Sequence, residues 1–379
     1  MIYFDNSATT KPHDEVLHTF LEVNNNYFAN PASIHAFGVE VNELLEAARN
    51  QIAHIIKTKP EHVLFTSGGT ESNNFAIFGV AKKNKHIGKH IITTEIEHAS
   101  VLEAYKTLEK DGYEVEYLSV NNKGVISIDE LCSKLRKDTI LVSMMHVNNE
   151  MGAIQPIEEA AKIIHQHSRA IFHVDAVQSF GKLKVQFNGD VGPDIITISG
   201  HKIHGIKGTG IIAFQRKLNI APLIVGGGQE FGLRSGTVPV PQVVALAKAC
   251  RIETEHLQEN YAKFKKWRDH LMDFFNTFGD HIYLLSTKEG APHILSFSVR
   301  DLKGEVIINA LQKRGVIVST SSACSSKQKK TSHVVEALNV DSHFKEGVIR
   351  ISFGAKNTEE EIEQFKEIFK EVMKELKGV

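Results

Sequence analysis

Between residues 63 and 214 short runs of β-branched and apolar residues alternate with segments of helical periodicity. That alternation is the pattern of a mostly parallel sheet covered by helices, so the expected fold class is α/β. The strand candidates are 63–66, 90–94, 115–120, 140–147, 171–174, 195–198 and 210–214, and helical patterns lie between them at 72–81, 101–108 and 157–165. An open sheet of this kind binds ligands beyond the carboxyl ends of its strands. Residues with unusual chemistry should therefore collect there.

Beyond Pro241 the sequence reads as one long helix, from 243 towards 275, with no strong breaker inside it. A second unit follows as strand, helix and strand at 294–299, 305–313 and 316–319, then a strand at 348–353 and a closing amphipathic helix at 359–376. The run Glu359-Glu360-Glu361 suits the positive end of that last helix. Single cores stop growing near about 300 residues. The 379 residues therefore divide into two domains, expected at 14–255 (large) and at 1–13 with 256–379 (smaller, α+β).

A content of 42% hydrophobic and 23% charged residues is that of a globular protein. The near balance of 44 basic against 45 acidic side chains argues against a general grip on nucleic acid and favours small-molecule chemistry. Three scattered cysteines, Cys132, Cys250 and Cys324, do not form a disulfide framework, and no stretch approaches the ~18 apolar residues of a membrane span. The expectation is a protein of the reducing cytoplasm.

Three features near strand ends carry chemistry. The turn Ser67-Gly68-Gly69-Thr70-Glu71 lets backbone N–H groups approach an anion at the start of a helix. Asp175 ends a strand that should be buried, where a carboxylate needs a positive partner such as a protonated pyridine nitrogen. One strand later Lys202, in Ser199-Gly200-His201-Lys202, is placed to form a Schiff base with an aldehyde, flanked by Ser199 and His201 for a phosphate. His165 and His167 face different directions on a helix, and no zinc site is expected.

Asp175-x-x-Gln178 and Ser199-x-His201-Lys202 after the Ser-Gly-Gly-Thr-Glu turn resemble the class V aminotransferase group of pyridoxal 5′-phosphate (PLP) enzymes, fold type I. The segments 4–10, Asn30-Pro31-Ala32-Ser33-Ile34-His35, Val147-Asn148-Asn149-Glu150, Arg234-Ser235-Gly236-Thr237 and Ser322-Ala323-Cys324 resemble cysteine desulfurases of the NifS/IscS type in particular. The resemblance implies that Lys202 binds PLP, Asp175 pairs with the ring nitrogen and His98 stacks on the ring and assists proton transfer. It implies that Gln178 donates to the phenolic oxygen, and that Gly69, Thr70, Ser199 and His201 hold the phosphate, with Thr237 reaching in from the second subunit of a homodimer. Arg350, helped by Asn149, would clamp the substrate carboxylate.

Cys324 opens the polar, lysine-bearing run 325–332, which should be a mobile, exposed loop that favours the thiolate. Cys132 and Cys250 lie in helical patterns and are expected to be buried and inert. The implied activity is conversion of L-cysteine to L-alanine, with sulfur passing to Cys324 as a persulfide and then to an acceptor protein, an iron–sulfur scaffold or a tRNA-thiolation enzyme. The rival readings are another class V PLP reaction, selenocysteine lysis or transamination, and a non-catalytic sulfur-relay scaffold. Two positions depart from the family pattern: Ile206 stands where Pro is common, and Ser321 where Gly is usual.

Overall fold

A computed structural model of the protein describes residues 1–185, 187, 191–320 and 331–379. Among them are twelve strands: β1 (Ile2–Tyr3), β2 (Val63–Thr66), β3 (His90–Thr94), β4 (Glu114–Leu118), β5 (Thr139–Met145), β6 (Ile171–Asp175), β7 (Ile195–Ser199), β8 (Gly210–Phe214), β9 (Ile282–Leu284), β10 (Ile294–Val299), β11 (Val316–Ile317) and β12 (Val348–Ser352). The strands β2 to β8 form one sheet in the order β2-β8-β7-β6-β5-β3-β4. Neighbours from β4 to β7 are parallel, whereas β8 runs antiparallel to both β7 and β2.

Every residue of β2, β3 and β5 to β8 is buried, because helices cover both faces. That is why these strands read as continuous apolar runs. Alternate residues still serve opposite faces: Val63 and Phe65 join the core under the helices Asp14–Asn26, Ala36–Ile56 and Val240–Glu255. Leu64 joins the core under Gly69–Asn84 and Ala99–Lys110. Only the edge strand β4 is largely uncovered, with Leu118 buried at its end.

A second core gathers Phe264, Trp267, Phe275, Phe297, Phe353, Phe365 and Phe369 around the antiparallel sheet β9-β10-β12. The N-terminus belongs to it: β1 pairs with β11, and Ile2 and Phe4 pack in this core. On these two cores we propose the division into 14–255 and 1–13 with 256–379.

The long helix expected over 243–275 is two helices, Val240–Glu255 and Leu257–Asn276, joined at His256. The first packs in the large core and the second in the small one, and the chain bends to satisfy both. The expected strand over 316–319 pairs as β11 only at its first two residues, after which Ser319 bridges to Arg350. Cys250 is buried as expected, but Cys132 is only half-buried because the short helix Ile128–Lys134 buries Leu131 alone.

Candidate active site

The parallel strands β6 and β7 end side by side, with Asp175 opposite Thr197. Asp175 is buried, and both its oxygens are engaged: Oδ1 accepts from the backbone N–H of Val177 at 2.9 Å and Oδ2 from Asn73 Nδ2 at 2.8 Å. Asn73 arrives on the helix Gly69–Asn84. Its Oδ1 accepts from Thr197 Oγ1 at 2.5 Å, and its Nδ2 also donates to Ser100 Oγ at 2.9 Å. The carboxylate is thus aimed by a residue about a hundred positions earlier in the chain.

A 3₁₀ turn, Gly200–Lys202, carries the chain out of β7. Gly200 is required there, because a Cβ would lie 2.1 Å from Thr209 Oγ1. Lys202 is half-buried rather than enclosed, since it faces the mouth above the strand ends. Its Nζ donates to the carbonyls of Ser7 at 2.5 Å and Ala8 at 2.7 Å. Lys182, wholly buried and pushed down to about 8 by that burial, donates to the carbonyl of Lys202 at 2.8 Å.

His98 caps the helix Ala99–Lys110 and accepts from the backbone N–H of Ser100 at its Nδ1. An accepting Nδ1 carries no proton, which leaves a neutral ring with its hydrogen on Nε2. Burial lowers its pKa, Asp175 opposes the shift, and Lys202 and His333 reinforce it. His201 lies 3.2 Å from Thr9 Oγ1 and is held down at about 4, first by burial and then by Lys202, Lys207 and Lys182.

Gly69 opens a close approach between the glycine turn and β7: a Cβ there would meet Val177 Cγ2 at 3.0 Å and Ser199 Cβ at 3.4 Å. Thr70, exposed, lines a cleft of about 390 Å³ together with His98 and Asn74. Gln178 Nε2 donates to the Ser7 carbonyl at 3.0 Å, while its buried Oε1 has no hydrogen-bond partner among the described residues.

Arg350 reaches in from β12 and is buried. Nη1 donates to the Asn149 carbonyl at 2.9 Å and Nη2 to Asp5 Oδ1 at 2.8 Å; Nε is buried without a partner among the described residues. Segment 5–8 therefore links the guanidinium to Lys202 and Gln178. Of the residues singled out in the sequence, Gly69, His98, Asp175, Gln178, Ser199, His201 and Lys202 converge at the strand ends, and Arg350 meets Asn149 beside them. Thr237 is exposed, in the loop before the helix Val240–Glu255. Cys324 lies outside the described residues.

Sequence reasoning missed Asn73, just beyond the glycine turn, and Asp5 and the carbonyls of Ser7 and Ala8, although the last three sit in segment 4–10, whose resemblance was noted. It also missed two buried carboxyls. Glu97 is pushed up to about 8 by burial, against hydrogen bonds from Met145 N and Thr94 Oγ1. Glu150, likewise raised to about 7, accepts from Ser332 Oγ at 2.5 Å. Among the described residues no His, Cys, Asp and Glu side chains are grouped as metal ligands, and no helix is long and apolar enough to cross a membrane.

This arrangement sets an amine, a carboxylate and a neutral imidazole around one opening, with a guanidinium beside them. It can take an amino acid by its carboxylate and a cationic aromatic ring by its nitrogen.

A model of the aminotransferase class-V family matches residues 2–365. The chain is 37% identical to cysteine desulfurase IscS 1 of Archaeoglobus fulgidus over 100% of this chain and 98% of the relative, and 42% identical to cysteine desulfurase IscS of Pectobacterium carotovorum over 96% and 90%. Among solved structures, a NifS-like protein superposes with a TM-score of 0.92 at 37% identity, covering 99% of this chain and 100% of that one. A structure of SspA in complex with cysteine gives a TM-score of 0.81 at 32% identity over 93% and 99%.

Proposed function

The chain belongs to the aminotransferase class-V family, and we propose that it is a PLP-dependent cysteine desulfurase that converts L-cysteine to L-alanine. The observation that carries this reading is the convergence of Asp175, Lys202 and His98 at the ends of β6 and β7, with Arg350 alongside.

The residues fit PLP. Asp175 presents a fixed carboxylate for a ring nitrogen, Lys202 an amine for an aldehyde, and Ser199 and His201 donors for a phosphate beside the gap that Gly69 leaves. Gln178 Nε2 donates one hydrogen to the Ser7 carbonyl, and a phenolic oxygen would take the other. When bound, PLP supplies an electron sink that makes the Cα proton of an amino acid removable.

The protein does the rest. Arg350 takes the α-carboxylate and fixes the orientation of the amino acid. Lys202 Nζ would accept the Cα proton as the neutral amine. His98, neutral with its hydrogen on Nε2, would lie against the ring and move a proton. The thiolate of Cys324 attacks the substrate sulfur: the carbon–sulfur bond breaks, a sulfur–sulfur bond forms on the enzyme, and protonation at Cβ followed by return of a proton from Lys202 to Cα completes alanine.

Sulfur then passes to an acceptor protein, an iron–sulfur scaffold or a tRNA-thiolation enzyme, in the cytoplasm. The protein acts as a homodimer in which Thr237, exposed as such a role requires, reaches the phosphate of the partner's site. The deciding experiment supplies purified protein with PLP, L-cysteine and a thiol reductant and measures products. Equal amounts of L-alanine and sulfide are expected; formation of a keto acid, or no alanine, refutes the reading.

A further inference from the structure

Arg350 carries its own counter-ion. The Asp5–Arg350 pair is short, 2.8 Å, and enclosed, with side-chain exposures of 19% and 6%. Both side chains are largely shielded from bulk solvent, so dissolved salt screens the pair less than it would a surface pair. The position of segment 5–8 does not rest on that carboxylate alone. The Asp5 backbone holds it too, with its carbonyl accepting from the N–H groups of Ala8 and Thr9 and an isolated bridge to Ser352.

We propose that Asp5 is a built-in competitor for the α-carboxylate of the amino acid. Resting on the reading of Arg350 as the carboxylate clamp, the inference is that Asp5 neutralises the guanidinium when the clamp is empty and must share or surrender it when an amino acid binds. The Asn149 carbonyl occupies Nη1, Asp5 occupies Nη2, and only the buried Nε–H is without a partner among the described residues. A two-pronged grip on an incoming carboxylate therefore needs an N–H edge on which Asp5 encroaches. Glu150 also lies in the field of Arg350, but its carboxyl is engaged by Ser332 Oγ.

The consequence is a clamp weakened equally towards substrate and product, since L-cysteine and L-alanine carry the same α-carboxylate. Asp5 thus limits product retention at some cost in substrate affinity, which makes it a release residue acting through Arg350.

The test compares equilibrium binding to the PLP-loaded protein and its Asp5→Asn and Asp5→Ala variants. The two ligands are L-alanine and cysteamine, which is cysteine without its carboxylate. Calorimetry should show L-alanine bound about tenfold more tightly by both variants, the scale of one charge-assisted hydrogen bond, with cysteamine changed by less than about twofold. Unchanged or weaker L-alanine binding overturns the proposal. Parallel shifts for both ligands overturn it too, because an effect blind to the carboxylate is a general disturbance of the site. Product analysis with L-cysteine on the same preparations tests the desulfurase reading separately: a wild-type protein that makes no alanine removes that reading and leaves the binding ratio standing on its own.

Discussion

Asn73 and Asp175 are joined by a 2.8 Å hydrogen bond from Asn73 Nδ2 to Asp175 Oδ2. Thr197 and Ser100 in turn hold the amide, so the direction of the carboxylate is set by three elements at once. Asn73→Ala should therefore weaken PLP binding by roughly 1–3 kcal/mol, the loss expected when a buried acceptor is deprived of a donor. Absorbance titration with PLP measures this, and an affinity equal to that of the wild type would show that the Val177 N–H alone suffices.

Lys202→Ala should remain folded, because the Lys202 side chain bonds carbonyls that lie at the mouth of the site. It should show no absorbance of covalently bound PLP, and alanine formation should fall by at least about a thousandfold, the upper range for losing a group that moves protons. Circular dichroism, the visible spectrum and product analysis together check the three parts.

Cys324→Ser should retain PLP and bind L-cysteine with the same spectral change. Persulfide and sulfide should disappear, since a hydroxyl is neither ionised nor a sulfur nucleophile at neutral pH. Sulfide production at the wild-type rate would remove Cys324 from the reaction.

Glu97 gives a pH prediction with a definite sign. Its carboxyl is raised to about 8 when folded, above its ordinary value in the unfolded chain, chiefly by burial. The unfolded chain loses this proton first, so the contribution is favourable at low pH and is lost as pH climbs towards 8. Glu97→Gln should thus flatten the pH dependence of thermal stability, matching the wild type near pH 5 and exceeding it near pH 9. Parallel melting curves at all pH values would contradict the assignment.

Arg49 and Glu230 form a buried pair with N–O distances of 2.7 and 2.9 Å, and Glu230 also accepts from the Phe65 N–H. This pair pins a loop in which Glu230 and Phe231 adopt left-handed backbone, with φ of 49° and 57°. Arg49→Met should destabilise the protein by about 3–5 kcal/mol, because it strands a buried carboxylate. The double variant Arg49→Met with Glu230→Gln should lose less than the single one in denaturant unfolding.

The alternation of strands and helices, the glycine turn and the residues Asp175 and Lys202 were legible in sequence because each reflects a local rule. Fully buried strands are continuously apolar, strand ends carry chemistry, and charged residues inside such strands are rare enough to notice. Resemblance extended this to His98, Gln178 and Arg350, whose local surroundings carry no signal of their own.

Other features had no local signature. The break at His256 arises because one helix must follow two cores. Burial raises Glu97 and Glu150, and nothing in Glu95-Ile96-Glu97 says which glutamate is enclosed. Asn73 looks like any polar residue of a first helical turn until β6 and β7 close around it.

By itself, then, the sequence determined the layered α/β plan and the chemical identities of the amine and the carboxylate, since periodicity and residue type are properties of the chain alone. Only the tertiary structure decided that Asp5 faces Arg350 and that Ser7 and Ala8 face Lys202. Hydrogen bonds and ion pairs reach about 3 Å in space with no regard for separation along the chain, and these contacts join residues more than 190 positions apart.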